Sequence, residues 1–169
     1  MDDVERLMRT FNTRGAYSRA SKLDVLMDLE RLRDGRVVPF LLHVLADPHE
    51  SSEVRSHVLK SLRNGPLAAD DRATVAGALG RVLANGSDLD LQLQAALALG
   101  EFIDIRGVLT TLGSLALQPH QLIDLRYSAF TSLERAGPTP ECVNLLRQLS
   151  EDEVLGRSAR SALARWHLA

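Results

Sequence analysis

A helical pattern recurs along this chain of 169 residues, and the recurrence limits its possible folds more than any other feature. The pattern is an apolar residue, an arginine, two variable positions, a small or apolar residue, an apolar residue, two further variable positions and a leucine. Copies begin at Val54, Leu91, Leu125 and Leu155, with a weaker copy at Ser21, so successive copies start 33, 37, 34 and 30 residues apart. Apolar residues at i, i+4, i+5 and i+8 share one face of an α-helix. The pattern therefore predicts a similar helix in each of five segments.

A second apolar helical stretch precedes each copy, at residues 4–11, 36–47, 72–85, 106–117 and 141–150. Gly and Pro mark turns between the pairs, and the short polar turns within the pairs are expected to supply N-caps. One helix pair cannot bury its apolar face alone, whereas stacked pairs share a core. We therefore expect an all-α protein, a right-handed α-solenoid (superhelix) of about five antiparallel helix pairs, with the second helices lining its inner surface.

This organisation predicts one domain over residues 1–169. Residues 1–35 are interpreted as a degenerate N-terminal repeat or cap. The regular repeats are expected at 36–65, 66–103, 104–137 and 138–169.

Composition narrows the classes of protein. Aromatic residues make up only 4% of the chain, which suits close-packed helices better than sheets. The net charge of −2 gives no global positive field to hold a nucleic-acid backbone. The chain has a single cysteine, no apolar run long enough to span a bilayer and no secretory leader. These features predict a cytoplasmic protein that does not enter membranes.

The segments "DGRVVPFLLHVLADPHESSEVRSHVLKSLRNG" (34–65) and "DLDLQLQAALALGEF" (88–102) resemble the HEAT repeat family. The likeness is to the short bacterial form also found in phycobilisome-lyase-like proteins. It implies an armadillo-like superhelix in which a turn Asp and a second-helix Arg join adjacent repeats. Asp47 with Arg55 would be one such pair, and Arg126 has Asp124 near it in sequence. These residues are interpreted as a structural ladder, although Lys22, Gln92 and Gly156 stand at the corresponding position elsewhere.

No catalytic residue, metal site or cofactor is expected. HEAT-like deoxyhypusine hydroxylases hold iron with His-Glu pairs in several repeats, whereas this chain has one such pair, His49-Glu50. Cys142 begins a helix, but no motif supplies a partner base, so we interpret it as a packing residue. No hydrolase, phosphate-loop or dinucleotide motif is present.

Nucleic-acid binding is a disfavoured alternative, raised because HEAT-like DNA glycosylases exist. The C-terminal segment is basic, with Arg157, Arg160, Arg165 and His167 near Trp166. However, acidic residues 151–153 lie directly before it, and this order of charges is the one that a helix dipole favours.

The strongest candidate for a binding surface lies in the third repeat. Leu93 and Leu97 occupy outward positions that carry Ser56 and Lys60 in the preceding copy. Leucines that point outward on one helical face indicate a surface that a binding partner covers. The proposed partner site comprises Leu93, Leu97, Tyr127, His57, Lys60, Gln94 and Arg135. Burial within the monomer and contact with a second copy in a homodimer remain open alternatives.

The sequence therefore favours a non-enzymatic scaffold or adaptor that binds a protein partner. The resemblance alone suggests a bilin-lyase-type or chaperone-like accessory protein, and bilin-lyase activity is the main enzymatic alternative. A DNA-binding or glycosylase role is the third possibility.

Overall fold

The computed structural model describes residues 1–13, 19–86 and 88–168, which form two compact units, Met1–Ala78 and Leu79–Ala169. These residues contain ten α-helices, one short 3₁₀ helix and no strand. The prediction of an all-α chain is therefore confirmed. Within the described segments, no helix combines the length and the apolar character needed to cross a bilayer.

The helices follow one another in five pairs, and the division between the units falls inside the fifth helix. Their bounds are α1 (Asp3–Thr13), α2 (Arg19–Leu32), α3 (Val37–Ala46), α4 (Ser52–Asn64), α5 (Ala69–Asn85), α6 (Leu89–Leu99), the 3₁₀ helix (Gly100–Phe102), α7 (Val108–Leu117), α8 (Ile123–Ala136), α9 (Pro140–Leu149) and α10 (Gly156–Arg165). We call α1, α3, α5, α7 and α9 first helices, and the other five second helices.

In the first unit, α1 packs on α2, α3 packs on α4, and the two second helices pack on each other. Near the start of α2, Lys22 Nζ lies 2.9 Å from Glu50 Oε2, in the turn before α4. Near its end, Glu30 Oε1 accepts a hydrogen bond of 2.6 Å from Ser61 Oγ. Because start meets start and end meets end, α2 and α4 run in the same direction.

In the second unit, α7 packs on α8, α9 packs on α10, α6 packs on α8, and α7 packs on α9. Ser132 Oγ donates to the carbonyl of Ala96 at 2.7 Å, and Arg135 Nη2 donates to Glu101 Oε1 at 2.7 Å. These contacts advance together along α6 and α8, which therefore run in the same direction. Fully buried side chains fill the core between these helices, including Leu91, Leu99, Phe102, Leu112, Leu133 and Leu146.

Four helices begin with a side-chain cap. Asp2, Ser51, Asp88 and Thr139 accept hydrogen bonds from backbone N–H groups three residues ahead, at 2.9–3.3 Å. The turns before α8 and α10 do not follow the expectation of polar N-caps, because the N-cap residues are Leu122 and Leu155 and neither helix has a side-chain cap. An apolar residue in place of a polar cap costs about 0.5–2 kcal/mol of stability.

Arg36 ties the start of the chain to the turn before α3. Its guanidinium donates to Asp34 at 2.9 Å and to Asp2 Oδ2 at 2.8 Å. Side-chain and backbone hydrogen bonds from Arg36 lower the pKa of Asp34 from 3.8 to about 2. This unusually acidic carboxyl group is therefore a direct report on the Arg36 contact.

In a carboxyl-detected NMR titration, Asp34 is expected to titrate near pH 2 in the parent protein. Arg36→Ala removes the guanidinium and keeps the backbone N–H, so the pKa of Asp34 should rise toward its ordinary value. Arg31→Ala, which removes a neighbouring exposed cation, is the matched control and should leave the titration unchanged. An Asp34 pKa that does not respond to Arg36→Ala would contradict the assignment.

Candidate partner-binding surfaces

The second position of the repeated pattern, where arginine is typical, contacts the first helix of its own pair. We call this position the slot. The slot side chain donates to a carbonyl nine or ten residues upstream, near the end of that helix. The bonds join Arg55 Nε to Leu45 O at 2.8 Å, Gln92 Nε2 to Leu83 O at 3.1 Å, and Arg126 Nε to Ala116 O at 2.9 Å. Carbonyls at the end of a helix lack donors from their own helix. The slot side chain therefore fastens the two helices of a pair together.

The last pair makes the same connection from a different residue. Its slot holds Gly156, and Arg160, one turn later, donates to the carbonyl of Ser150 at 2.6 Å. A Cβ on Gly156 would lie 2.7 Å from that carbonyl oxygen and 3.1 Å from the Arg160 guanidinium. Glycine therefore leaves space for the arginine. In the sequence, Arg160 is part of the basic C-terminal segment considered for nucleic-acid binding. The signal for its actual role was an arginine four residues after a slot without one.

Arg126 also bridges two pairs. Its side chain is only 4% exposed, and it forms an ion pair with Asp152 in the turn between α9 and α10. Burial acts to raise the pKa of Asp152, but hydrogen bonds from the Leu155 and Val154 backbones and from Arg126 hold that pKa below its ordinary value. Asp124, the acid near Arg126 in sequence, is exposed. The carboxylate that Arg126 binds therefore comes from the following pair.

The first unit contains a similar bridge. Lys22, in the slot of α2, contacts Glu50 in the turn of the following pair. Asp47 shapes that turn, since its Oδ1 accepts from the backbone N–H of His49 at 2.9 Å. Glu50 is thus engaged by a lysine, and His49 is exposed. Within the described residues, no group of three or more His, Cys, Asp or Glu side chains is arranged to hold a metal ion.

The centre of the predicted partner site lies on α6 and α8. Leu93 and Leu97 are half-buried, and Tyr127 is 41% exposed. The contacts between the two helices join residues 34–36 apart, which places Tyr127 level with residues 91–93. We call Leu93, Gln94, Leu97, Tyr127 and Arg135 the α6–α8 face. The leucines are neither sealed in the core nor fully exposed, so part of each side chain is available for contact.

The other two predicted site residues, His57 and Lys60, line a cleft in the first unit. This open cleft has a volume of about 990 Å³, and its walls include Met27, Glu30 and Ser61. His57 Nε2 lies 2.9 Å from Glu30 Oε1, the oxygen that also accepts from Ser61. Lys60 is exposed. The cleft is therefore a second candidate surface, and all of its lining residues belong to the first unit.

Cys142 is buried in the first turn of α9. Burial raises the pKa of its thiol, with a hydrogen bond to Thr139 acting the other way and the Glu141 charge adding to the rise. A raised pKa disfavours the thiolate that a nucleophile or metal ligand needs.

Two of the four basic residues in the C-terminal segment make contacts within the chain. Arg165 forms an ion pair with Glu134 of α8, and Arg160 binds the Ser150 carbonyl. Trp166 is half-buried, and Arg157 is exposed.

Four exposed aliphatic side chains at the starts of second helices are not among the predicted site residues: Leu89, Leu122, Ile123 and Val154. The available signal was their position. They stand in or beside turns where polar capping residues are usual.

These contacts and exposures are the basis for inferring a function. No protein-family model matches the chain, and no curated protein matches it either.

Proposed function

We propose that this chain is a non-enzymatic interaction module, a right-handed α-solenoid of HEAT-like helix pairs that presents its second helices to a protein partner. The observation that carries the proposal is the α6–α8 face. Two second helices pack side by side in the same direction, and Leu93, Leu97 and Tyr127 keep apolar surface in contact with water. Exposed apolar surface on a helical array is typical of a binding site.

The repeated fastening supports stacking of the pairs. Arg55, Gln92 and Arg126 each bind the first helix of their own pair, and Arg160 does so in the last pair. Ion pairs such as Arg126–Asp152 then join one pair to the next. Because such contacts order this surface before binding, less of the binding free energy is lost in ordering it when the partner binds.

The α6–α8 face has the composition of a small binding centre with a polar rim. Tyrosine is enriched among the residues that dominate interface energies, and Tyr127 is the most exposed apolar group of this face. Arg135 lies at the rim in an exposed ion pair with Glu101. Exposed pairs of this kind contribute about 0–1 kcal/mol, so a partner carboxylate can compete for the guanidinium.

The cleft of the first unit offers a second contact region. Its walls combine apolar side chains such as Met27 and Leu41 with the exposed ammonium of Lys60. An acidic or amide-bearing side chain of a partner fits this combination. Substitutions at Lys60 are therefore useful alongside those on the α6–α8 face.

The test is capture followed by titration. The immobilised protein is exposed to native lysate, captured proteins are identified by mass spectrometry, and the best candidate is purified and titrated by calorimetry. Tyr127→Asp together with Leu93→Gln is expected to weaken binding at least tenfold, which corresponds to about 1.4 kcal/mol. The physical reason is the loss of apolar contact and the burial of a new charge.

Leu32→Asp is the matched control, because Leu32 is an exposed leucine of α2 in the other unit. It should leave the affinity unchanged. Circular dichroism must show equal helicity in all variants. A partner that binds the Tyr127→Asp/Leu93→Gln protein as tightly as the parent would refute the α6–α8 face as its site.

A further inference from the structure

Leu122 is the most exposed aliphatic residue within the helical pairs of the second unit, with 56% of its surface accessible. It occupies the N-cap of α8, where a polar side chain would serve the helix better. Leucine at this position therefore leaves the helix without a side-chain cap and exposes an apolar side chain to water. Neither folding nor solubility accounts for a leucine at this position.

Leu122 belongs to a row of similar residues. Ile123 follows it, Leu89 begins α6, and Val154 lies just before α10, and all of them are exposed. The start of α6 lies beside the start of α8, since these helices run in the same direction. We call these four residues the apolar edge.

The start of α10 also lies at this edge. Arg126 near the start of α8 binds Asp152 before α10, and Glu134 near the end of α8 binds Arg165 at the end of α10. The two helices therefore run in the same direction, and Val154 continues the row from Ile123.

Carboxylates border the apolar edge at each helix. Asp90 follows Leu89, Asp124 follows Ile123, and Glu153 precedes Val154. All three side chains are exposed, and none of them forms an ion pair within the described residues. Arg157 is the exposed cation nearest to them in sequence, so negative charge predominates. Carboxylates in the first turn interact favourably with the positive end of the helix dipole. This interaction does not explain why the neighbouring aliphatic residues are exposed.

The spacing between the helix starts along the apolar edge favours a helical partner. α6 packs on α8, and packed helices lie about 8–10 Å apart, whereas α8 and α10 are joined by an ion pair near each end. A helix advances about 10.5 Å in seven residues. A helix laid across the edge with an apolar residue at every seventh position would contact Leu89, Ile123 and Val154 in turn. Lysine or arginine beside each apolar residue would face the three carboxylates.

We infer that the apolar edge, with its bordering carboxylates, docks a basic amphipathic helix of a partner protein. The inference rests on the proposed function and names the chemical class of the partner. Apolar side chains supply the affinity, and charge complementarity at this edge selects a cationic helix over an acidic one, whatever charges the partner carries elsewhere.

The probe is a fluorescein-labelled synthetic peptide of about 18 residues, with leucine at every seventh position and lysine beside each leucine. Its binding to the full chain is followed by fluorescence anisotropy. Two control peptides are used, one with the same composition in scrambled order and one with glutamate in place of lysine. The probe is expected to bind at least tenfold more tightly than either control, and its affinity should fall as salt is raised.

Leu122→Ser and Ile123→Ser, combined, are expected to weaken probe binding about tenfold. Leu122→Ser alone should raise the melting temperature, because serine can cap α8. A double variant that binds the probe less tightly while its melting temperature stays at or above that of the parent excludes unfolding as the cause. Leu32→Ser, in the first unit, is the control and should leave the affinity unchanged.

Unchanged probe affinity in the double-serine variant would overturn the inference, as would equal binding of the scrambled or glutamate peptide. Sedimentation that shows self-association abolished by Leu122→Ser would identify a second copy as the occupant and overturn it as well. A captured protein that depends on Tyr127 and not on Leu122 would leave the proposed function standing while the inference fails.

Discussion

Replacing Arg126 by alanine is expected to lower the free energy of unfolding by about 3–5 kcal/mol, the usual cost of breaking a buried ion pair from one side. The guanidinium is almost fully buried, and it serves two acceptors, the Ala116 carbonyl and the Asp152 carboxylate. Alanine leaves the carbonyl without its donor and the carboxylate without its counter-charge. Urea unfolding monitored by circular dichroism measures the loss.

Arg55→Ala is the matched control for this prediction. Arg55 is half-buried and makes the corresponding bond to the Leu45 carbonyl, so its removal should cost only about 0.5–1.5 kcal/mol. The double variant Arg126→Ala/Asp152→Asn should lose less than the sum of the single variants, because the two side chains interact. Equal losses in Arg126→Ala and Arg55→Ala would contradict the bridging role.

The same ion pair predicts a change with pH. The pKa of Asp152 is lowered in the folded protein, so the stabilisation is fully present above the ordinary carboxyl pKa. It should be lost as the pH falls below about 4 and through the lowered pKa. Arg126→Ala should reduce this loss on the acid side.

Phe102→Ala is the second change with a large expected effect, about 3–5 kcal/mol of unfolding free energy. Phe102 is 1% exposed, and it lies in the 3₁₀ helix that packs against α8. Truncation removes apolar contacts and leaves a cavity beside the helices that carry the α6–α8 face. Thermal and urea unfolding both measure the change.

Ile103→Ala, at the adjacent half-buried position, is the comparison and should cost clearly less. The Phe102→Ala protein should still bind the basic peptide at a temperature where it is folded, since the apolar edge contains no part of Phe102. Equal stabilities of the two variants would contradict the assignment of Phe102 to the core.

The helices themselves could be read from local pattern. Apolar periodicity predicted a helix at residues 36–47, and α3 spans Val37–Ala46. The pattern missed the first turn of α5, which begins at Ala69 instead of near residue 72. That turn carries Asp70 and Asp71 without apolar periodicity, and it forms because the Ala68 carbonyl accepts the N–H groups of Asp71 and Arg72.

The candidate site was less accessible to sequence reasoning because its contacts are tertiary. A slot arginine could be recognised, but its target carbonyl depends on the turn that brings two helices together. Arg126 binds Asp152, 26 residues away, and not the nearby Asp124, because packing of the next pair supplies the acid. Periodicity likewise gave the direction of Leu93 and Leu97, whereas neighbouring helices determine how much of each is covered.

Gln92 performs with a neutral amide what Arg55 and Arg126 perform with a cation. The fastening within a pair thus needs only an N–H donor of sufficient reach, and a full positive charge is dispensable. At a position that makes only this bond, exchange of arginine for glutamine can therefore remove a charge while the two helices stay joined. Arg126 is different, because its charge also binds Asp152 in the next pair.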